Sequence, residues 1–307
     1  MDGSTLGALP TSDPAAEPEG FVVLVDGGVR IHFLDWGGPE ASADPGVLLI
    51  HGLATTAWSW APVARRLRLV RRTVAMDLRG HGLSDAPTDG YDEATLTEDV
   101  IAVTDGAGLL RRRVVLAGHG FGAIVAAWAA AALGDACAGL VLVDGGWEDV
   151  RAASGLEPDE FLRELDEPPE VLRSMDAYLA DRAGFDPATW DADQERAARA
   201  SVVELPAGRV VSSSRPHAIA GTVRAMFDYR PAETLPLVTA PIVALLAGEG
   251  GMRAETLDPI HDALAAHDRP PIATRSFPGV GHNLPRYRPD EVAAAILAAG
   301  RSARETD

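Results

Sequence analysis

A series of short, unbroken apolar runs, each followed by a segment of helix length, restricts this chain more than any other feature. The runs span Gly46–His51, Arg72–Met76, Arg113–Ala117 and Leu140–Asp144; between them lie Trp58–Leu67, Leu96–Gly106 and Phe121–Leu133. A strand with one wet face alternates apolar and polar residues, whereas a strand covered on both faces does not. The runs therefore predict a parallel sheet with helices on either side. Two shorter runs, Phe21–Val25 and Val29–Asp35, flank Asp26-Gly27-Gly28 and predict a hairpin ahead of that sheet.

The alternation stops after Gly146. From Trp147 to about Pro231 the chain reads as helical and polar, with Pro168-Pro169, a Ser212–Ser214 cluster and no convincing buried strand. A stretch of about 85 residues is far longer than an ordinary connection. Alternation resumes with a strand at Pro241–Ala247, a helix at Leu257–Ala266, a strand at Ile272–Phe277 and a helix at Asp290–Ala299. The expected layout is a poorly ordered tail over 1–20, a core from 21–146 and 233–307, and a helical insertion over 147–232.

Composition removes several chemistries. All 27 basic residues are arginine, which excludes lysine Schiff bases, catalytic ammonium groups and phosphate-loop lysines. With 45 acidic residues the net charge is −18, which repels nucleic acid and anionic membranes. The expected partner is a small-molecule substrate, with no nucleic acid and no membrane. Cys137, the one cysteine, has no intramolecular disulfide partner and falls in an alanine-rich stretch read as helical, as a packed thiol. No basic, apolar leader and no run of 18 apolar residues is present, so a cytoplasmic location is expected. The eight histidines show no ligand-like clustering, and no metal or other cofactor is implied.

Three motifs fall at the C-terminal ends of expected strands, the edge where open α/β sheets bind ligands. They are His51-Gly52-Leu53, Gly118-His119-Gly120-Phe121-Gly122 and Gly279-Val280-Gly281-His282; a fourth runs from Asp77 to Asp85 as DLRGHGLSD. In this order, with a helical insertion after the family's sixth strand, the set resembles the α/β-hydrolase superfamily from residue 21 to the C-terminus. The resemblance implies a mostly parallel central sheet flanked by helices, a helical cap and a nucleophile elbow of the form Gly-x-nucleophile-x-Gly at 118–122. Here the central residue is Gly120, which has no side chain, so no covalent acyl- or alkyl-enzyme forms at that position.

The remaining site residues follow from the same resemblance. Leu53 and Phe121 match the backbone N–H donors of the family's oxyanion hole, and His282 matches its general base. Asp144, at a strand end on the ligand edge, is preferred as the acid over Glu249, because a strand end holds a carboxylate better than the Gly-rich loop Gly248–Gly251 does. The alternative for Asp144 is a helix or turn cap before Gly145-Gly146. Arg79 and His81 read as structural, His119 as packing, and Arg215 and His217 as a solvated face. Trp58, Trp147, Met226 and Phe227 are candidate pocket walls or, equally, packing between insertion and core.

Three functions suit this scaffold. One is an ester, lactone or thioester hydrolase present in a form lacking its nucleophile. A second is catalysis by His282 and Asp144 alone, as a general base on water or on an acidic substrate proton. The third is a binding module that kept the pocket and lost catalysis. Epoxide or halide displacement through an enzyme ester requires an aspartate at position 120 and is set aside. A remote alternative is a dinucleotide-binding Rossmann protein, because Gly118-x-Gly120-x-x-Ala123 with Asp144 further on matches that fingerprint.

Overall fold

A computed structural model describes residues 16–39, 44–165, 174–206, 208–248 and 254–302. Eight strands form one sheet: β1 (Glu19–Leu24), β2 (Arg30–Gly37), β3 (Gly46–Ile50), β4 (Thr73–Met76), β5 (Val114–His119), β6 (Cys137–Val143), β9 (Ile242–Gly248) and β10 (Ala273–Pro278). Their spatial order is β1-β2-β4-β3-β5-β6-β9-β10. Only β2 runs against its neighbours, pairing antiparallel with β1 and β4; every other pairing is parallel. This is the mostly parallel, doubly covered sheet that the apolar runs predict.

The reason for unbroken runs is visible residue by residue. Leu48, Ile50, Val114, Leu116, Leu140 and Leu142 face one hydrophobic cluster, with α2 (Glu93–Gly106) and α3 (Phe121–Leu133). The residues between them, Val47, Leu49, Val115, Ala117, Val141 and Val143, face a second cluster with α1 (Ala61–Leu67) and α12 (Pro289–Ser302). Neither face of the central strands meets water, so no position in them selects for a polar residue.

Several boundaries differ from expectation, each for a local reason. The helix expected from Trp58 begins at Ala61, after a single 3-10 turn at Ala57–Trp60. Pro62 lacks an N–H and its ring would clash with a helical carbonyl four residues earlier, so it sits in the first turn. Helix α2 starts earlier than expected, where Asp92 accepts the Thr95 N–H as N-cap. Cys137 is not helical: α3 ends at Leu133, and Cys137 opens β6. Burial among apolar neighbours pushes its thiol pKa up to about 11. The end of the expected tail is tied down, since β1 begins at Glu19 and Arg65 donates to the Ala16 carbonyl; residues 1–15 lie outside the described residues.

Between β6 and β9 run α4 (Val150–Ser154), α5 (Pro158–Leu165), α6 (Met175–Phe185), α7 (Ala192–Ala200), α8 (Pro216–Asp228) and α9 (Pro231–Thr234). The segment is not wholly helical. Val202–Glu204 (β7) and Val210–Ser212 (β8) form a two-stranded antiparallel sheet in which Val210 alone is buried. Pro168-Pro169 lies outside the described residues. The segment is joined to the core by Arg65, whose guanidinium donates to Asp193 at 3.0 Å, and by Arg286, which donates to Thr189 at 2.7 Å. Helix α10 (Asp258–Ala266) and the single-turn helix α11 (Leu284–Tyr287) complete the described elements used below.

Candidate active site

Strand β5 ends at His119 and α3 begins at Phe121, so the reversal of direction falls on Gly120. Its φ of +53° and ψ of −117° lie where L side chains are strained and glycine is not. The flanking glycines answer to space instead. A Cβ on Gly122 would stand 2.3 Å from the Ile50 carbonyl oxygen, and one on Gly118 would stand 2.1 Å from that of Gly122. Only glycines at both positions let α3 start this close to the ends of β3 and β5.

Asp144 follows β6 directly and is one of three non-glycine residues with positive φ among the described residues, at +49°. That conformation costs about 1 kcal/mol. Two backbone contacts with β9 hold it: the Asp144 N–H donates to the Leu245 carbonyl at 2.8 Å, and Oδ1 accepts the Ala247 N–H at 2.8 Å. Oδ2 is left to accept from His282 Nδ1 at 2.5 Å. The carboxylate is 1% exposed and the imidazole 62% exposed, so the pair has a dry end and a wet end. The wet end points at the turn: an ideal Cβ on Gly120 would stand 3.3 Å from His282 Nε2.

The His282 loop is secured from below by His119. The two rings are 4.5 Å apart, and His119 Nε2 donates to the His282 carbonyl at 3.0 Å. Burial, and then the neighbouring His282, push the His119 pKa down to about 4, so this donor is a neutral imidazole at pH 7. On the other side of Gly120, Phe121 is the first residue of α3 and its N–H has no acceptor within the helix. The Leu53 N–H makes no backbone hydrogen bond among the described residues. The Cα of Gly52 lies 4.0 Å from the same ideal Cβ on Gly120.

The DLRGHGLSD motif builds the loop behind this edge. Asp77 Oδ1 accepts the Ala57 N–H at 2.7 Å, while Oδ2 accepts the Leu83 N–H at 3.0 Å and His32 Nδ1 at 2.8 Å. Burial raises its pKa, but the His32 bond and the field of His51 outweigh burial and hold the carboxyl below its usual range. His51 accepts the Leu78 N–H at Nε2 and donates from Nδ1 to the Gly52 carbonyl. Burial and the neighbouring His81 push its pKa down to about 4. Arg79 sends a two-pronged ion pair to Asp99, with both N–O distances at 2.6 Å.

The other candidates scatter. Trp147 has no exposed surface and its indole N–H donates to Thr256 at 3.1 Å. Phe227 has none either, standing edge-on to Phe161 at 5.4 Å. Met226 is half-buried against the α2–α3 side of the core. Trp58 is half-buried, edge-on to Trp36 and covered by Arg196 at 4.6 Å. Arg215 and His217 are exposed, and His217 contacts the Ala86 carbonyl. Glu249 lies outside the described residues.

The motifs did not single out a cleft of about 290 Å³ between the core and the segment that joins β6 to β9. Its core wall includes Ala54, Thr55 and Ser59, its opposite wall comes from α6, α7 and the loop between them, and Asn283 and Arg286 close one side. The only signal in the sequence is adjacency, because Ala54 follows Leu53 and Asn283 follows His282.

Comparison with known proteins agrees with this fold. The model of the alpha/beta hydrolase family matches residues 47–295. Mouse epoxide hydrolase 4 is 33% identical over 117 residues, 38% of this chain; the chain spans only 31% of that protein's length. N-formylmaleamate deformylase of Pseudomonas putida is 28% identical over 266 residues, covering 84% of this chain and 88% of that one. The crystal structure of E-2-(acetamidomethylene)succinate hydrolase superposes with a TM-score of 0.72 over 92% of this chain and 98% of that one, at 22% identity. The glycine fingerprint of the dinucleotide alternative therefore falls in the turn between the fifth strand of a hydrolase sheet and the helix that follows it. The chain belongs to the alpha/beta hydrolase family.

Proposed function

We propose that the protein is an acyl-type hydrolase scaffold for a small organic molecule, in which Gly120 occupies the nucleophile position of the elbow. The observation that carries this reading is the direction of the Gly120 Cβ vector toward His282 Nε2, with that ring already fixed by Asp144. A serine at this place would have its hydroxyl in reach of the base, and His282 and Asp144 would serve as base and orienting acid. With glycine there, the acyl-enzyme route is closed, and activity on esters, lactones or thioesters is absent or strongly impaired. The helices between β6 and β9 act as a cap over the strand ends.

A second reading rests on the strained Asp144 backbone and the short Asp144–His282 contact, which are kept although the elbow carries no side chain. In that reading His282 Nε2 takes a proton from water while the water oxygen bonds to the acyl carbon. The N–H groups of Leu53 and Phe121 stabilise the oxyanion, and the proton passes to the leaving group as its bond to carbon breaks. Two relatives, a deformylase of N-formylmaleamate and a hydrolase of 2-(acetamidomethylene)succinate, support a small acyl-bearing substrate for either reading.

Gly120→Ser, assayed beside the unsubstituted chain on short-chain aryl esters and with a fluorophosphonate probe, separates the two readings. Turnover and labelling in the serine variant alone support the first. Equal turnover in both forms, lost in His282→Ala, supports the second. Measurable turnover, in the serine variant or in the unsubstituted chain, that is unchanged by His282→Ala overturns both.

A further inference from the structure

We infer that the cleft lined by Ala54, Asn283 and Arg286 is a subsite for a small aromatic carboxylate, so that the molecule this site accepts carries an anionic aryl group. The inference rests on the placement of the active site given above and deepens it.

Three observations point the same way. First, the cleft is lined by Ala54 and Asn283, each joined by one peptide bond to a residue of the site, Leu53 and His282. At about 290 Å³ it lies at the small end of small-molecule pockets, which run from roughly 300 Å³ upward. Second, the charged side chains that line it are cations. The chain carries −18, yet among the described residues the cleft is lined by Arg182 and Arg286 and by no aspartate or glutamate. Third, its outer wall is aromatic, with Tyr178 and Trp190 lining it and Tyr178 held by a 2.9 Å contact with Ser201.

Arg286 is the better placed of the two cations. It spends Nε on Thr189 and Nη2 on the Asp186 carbonyl, with the Asp186 carboxylate 3.8 Å away. These contacts fix the guanidinium plane; Nη1 has no partner among the described residues. A planar, pre-oriented fork with an uncommitted N–H group suits a carboxylate, which takes charge-assisted hydrogen bonds from it. Arg182 lies over the Tyr178 ring at 5.6 Å with its guanidinium paired to the Asp181 carboxylate at 2.7 Å, so Arg286 is the cation that the inference rests on. The aromatic ring of the ligand would lie against Tyr178 and Trp190, with its carboxylate toward Arg286.

Binding is tested on the unsubstituted chain, so the result does not depend on turnover. Phenylacetate and its neutral isostere phenylacetamide are titrated by isothermal calorimetry, with per-residue diethyl pyrocarbonate modification of histidines read by mass spectrometry. The expected result is binding of phenylacetate at least tenfold tighter than the amide, weakened tenfold or more in Arg286→Gln. Phenylacetate should also slow modification of His282 while leaving exposed His217 and His267 unchanged. Arg286 also ties two segments together, so Arg182→Gln provides a second charge test if Arg286→Gln does not fold. Equal binding of acid and amide, or binding that leaves His282 unprotected, overturns the inference. If Gly120→Ser gains esterase activity while phenylacetate fails to bind, the subsite is wrong and the hydrolase reading stands.

Discussion

A side chain added at Gly120 would leave the backbone toward His282, with its Cβ 3.3 Å from Nε2. The contact is close enough that one partner must give by a few tenths of an ångström. His282 can, because its side chain is 62% exposed. The expected outcome of Gly120→Ser is therefore a folded protein with a hydroxyl against a prepared base. Aryl-ester turnover should rise by on the order of 10³-fold or more over the unsubstituted chain, the scale on which nucleophile removal acts in other triads. Asp144→Asn in the serine background should remove most of that gain, since the amide no longer accepts the Nδ1 proton and favours the wrong tautomer. Steady-state kinetics on a 4-nitrophenyl ester check both.

Much of this site was legible in the sequence, for identifiable reasons. Gly118 and Gly122 are demanded by the close approach of backbone at the start of α3, and a backbone demand leaves a fixed spacing. Leu48 and Leu49 are apolar because opposite faces are both covered, which marks the strand without any tertiary knowledge. Trp147 and Phe227 show the limit. A large aromatic near a site is apolar whether it lines a cavity or packs beneath one, and only the assembled neighbours decide; here both are fully buried. Cys137 reads as helical from sequence because the alanines on either side of Gly134 carry no period, so nothing local marks where α3 stops and β6 starts. Arg286 left no signal at all, since its role depends on Thr189 and Asp186 from a segment about 100 residues away in sequence.

Acid should destabilise the fold well above the usual carboxylate range. His51 and His119 are buried with pKa values pushed down to about 4, whereas in the unfolded chain each returns to about 6.5. Between those values the unfolded state binds more protons, so stability is complete above pH 6.5 and falls as pH drops toward 4. Each histidine contributes a loss of about 3 kcal/mol across that window. Asp77, whose pKa is lowered, adds a further loss at lower pH, in the same direction. Urea midpoints measured from pH 8 to pH 4 should fall steeply below 6.5, and His119→Gln should flatten the curve. A midpoint that stays constant down to pH 5 would contradict the buried, neutral state of these rings.

The Arg79–Asp99 pair offers a contrast between a charge left alone and a charge removed. Both side chains are buried, and both N–O distances are 2.6 Å. Arg79 also donates to the Gly90 carbonyl at 2.7 Å. Arg79→Met strands Asp99, whose pKa burial already raises, and should cost about 3–5 kcal/mol. The double variant Arg79→Met/Asp99→Leu should recover a large part of that loss, because no uncompensated charge remains. A double-mutant cycle in urea reads the coupling directly. If the double variant is no more stable than Arg79→Met, the stranded Asp99 charge is not what makes the single substitution costly.

Helix α3 carries its own control for strain at the elbow. Gly134, just past its C-terminal end, has φ +51° and ψ −123°, nearly the torsions of Gly120 at its N-terminal end. An ideal Cβ on Gly134 would meet nothing within 4 Å, whereas one on Gly120 would meet His282. Gly134→Ser therefore measures the backbone penalty alone, expected at about 1–3 kcal/mol. The difference between Gly120→Ser and Gly134→Ser then isolates what the hydroxyl does against His282, free of the torsional cost the two share. Gly122→Ala sits at the other extreme. Its Cβ would fall 2.3–2.4 Å from the carbonyl oxygens of Ile50 and His51, which are backbone atoms at the end of a central strand and cannot rotate away. A loss of more than about 4 kcal/mol, or failure to fold, is expected there. Thermal and urea unfolding of the three variants should rank Gly122→Ala far below the two serine variants. A Gly122→Ala protein as stable as Gly134→Ser would mean that α3 does not press against β3 as closely as described.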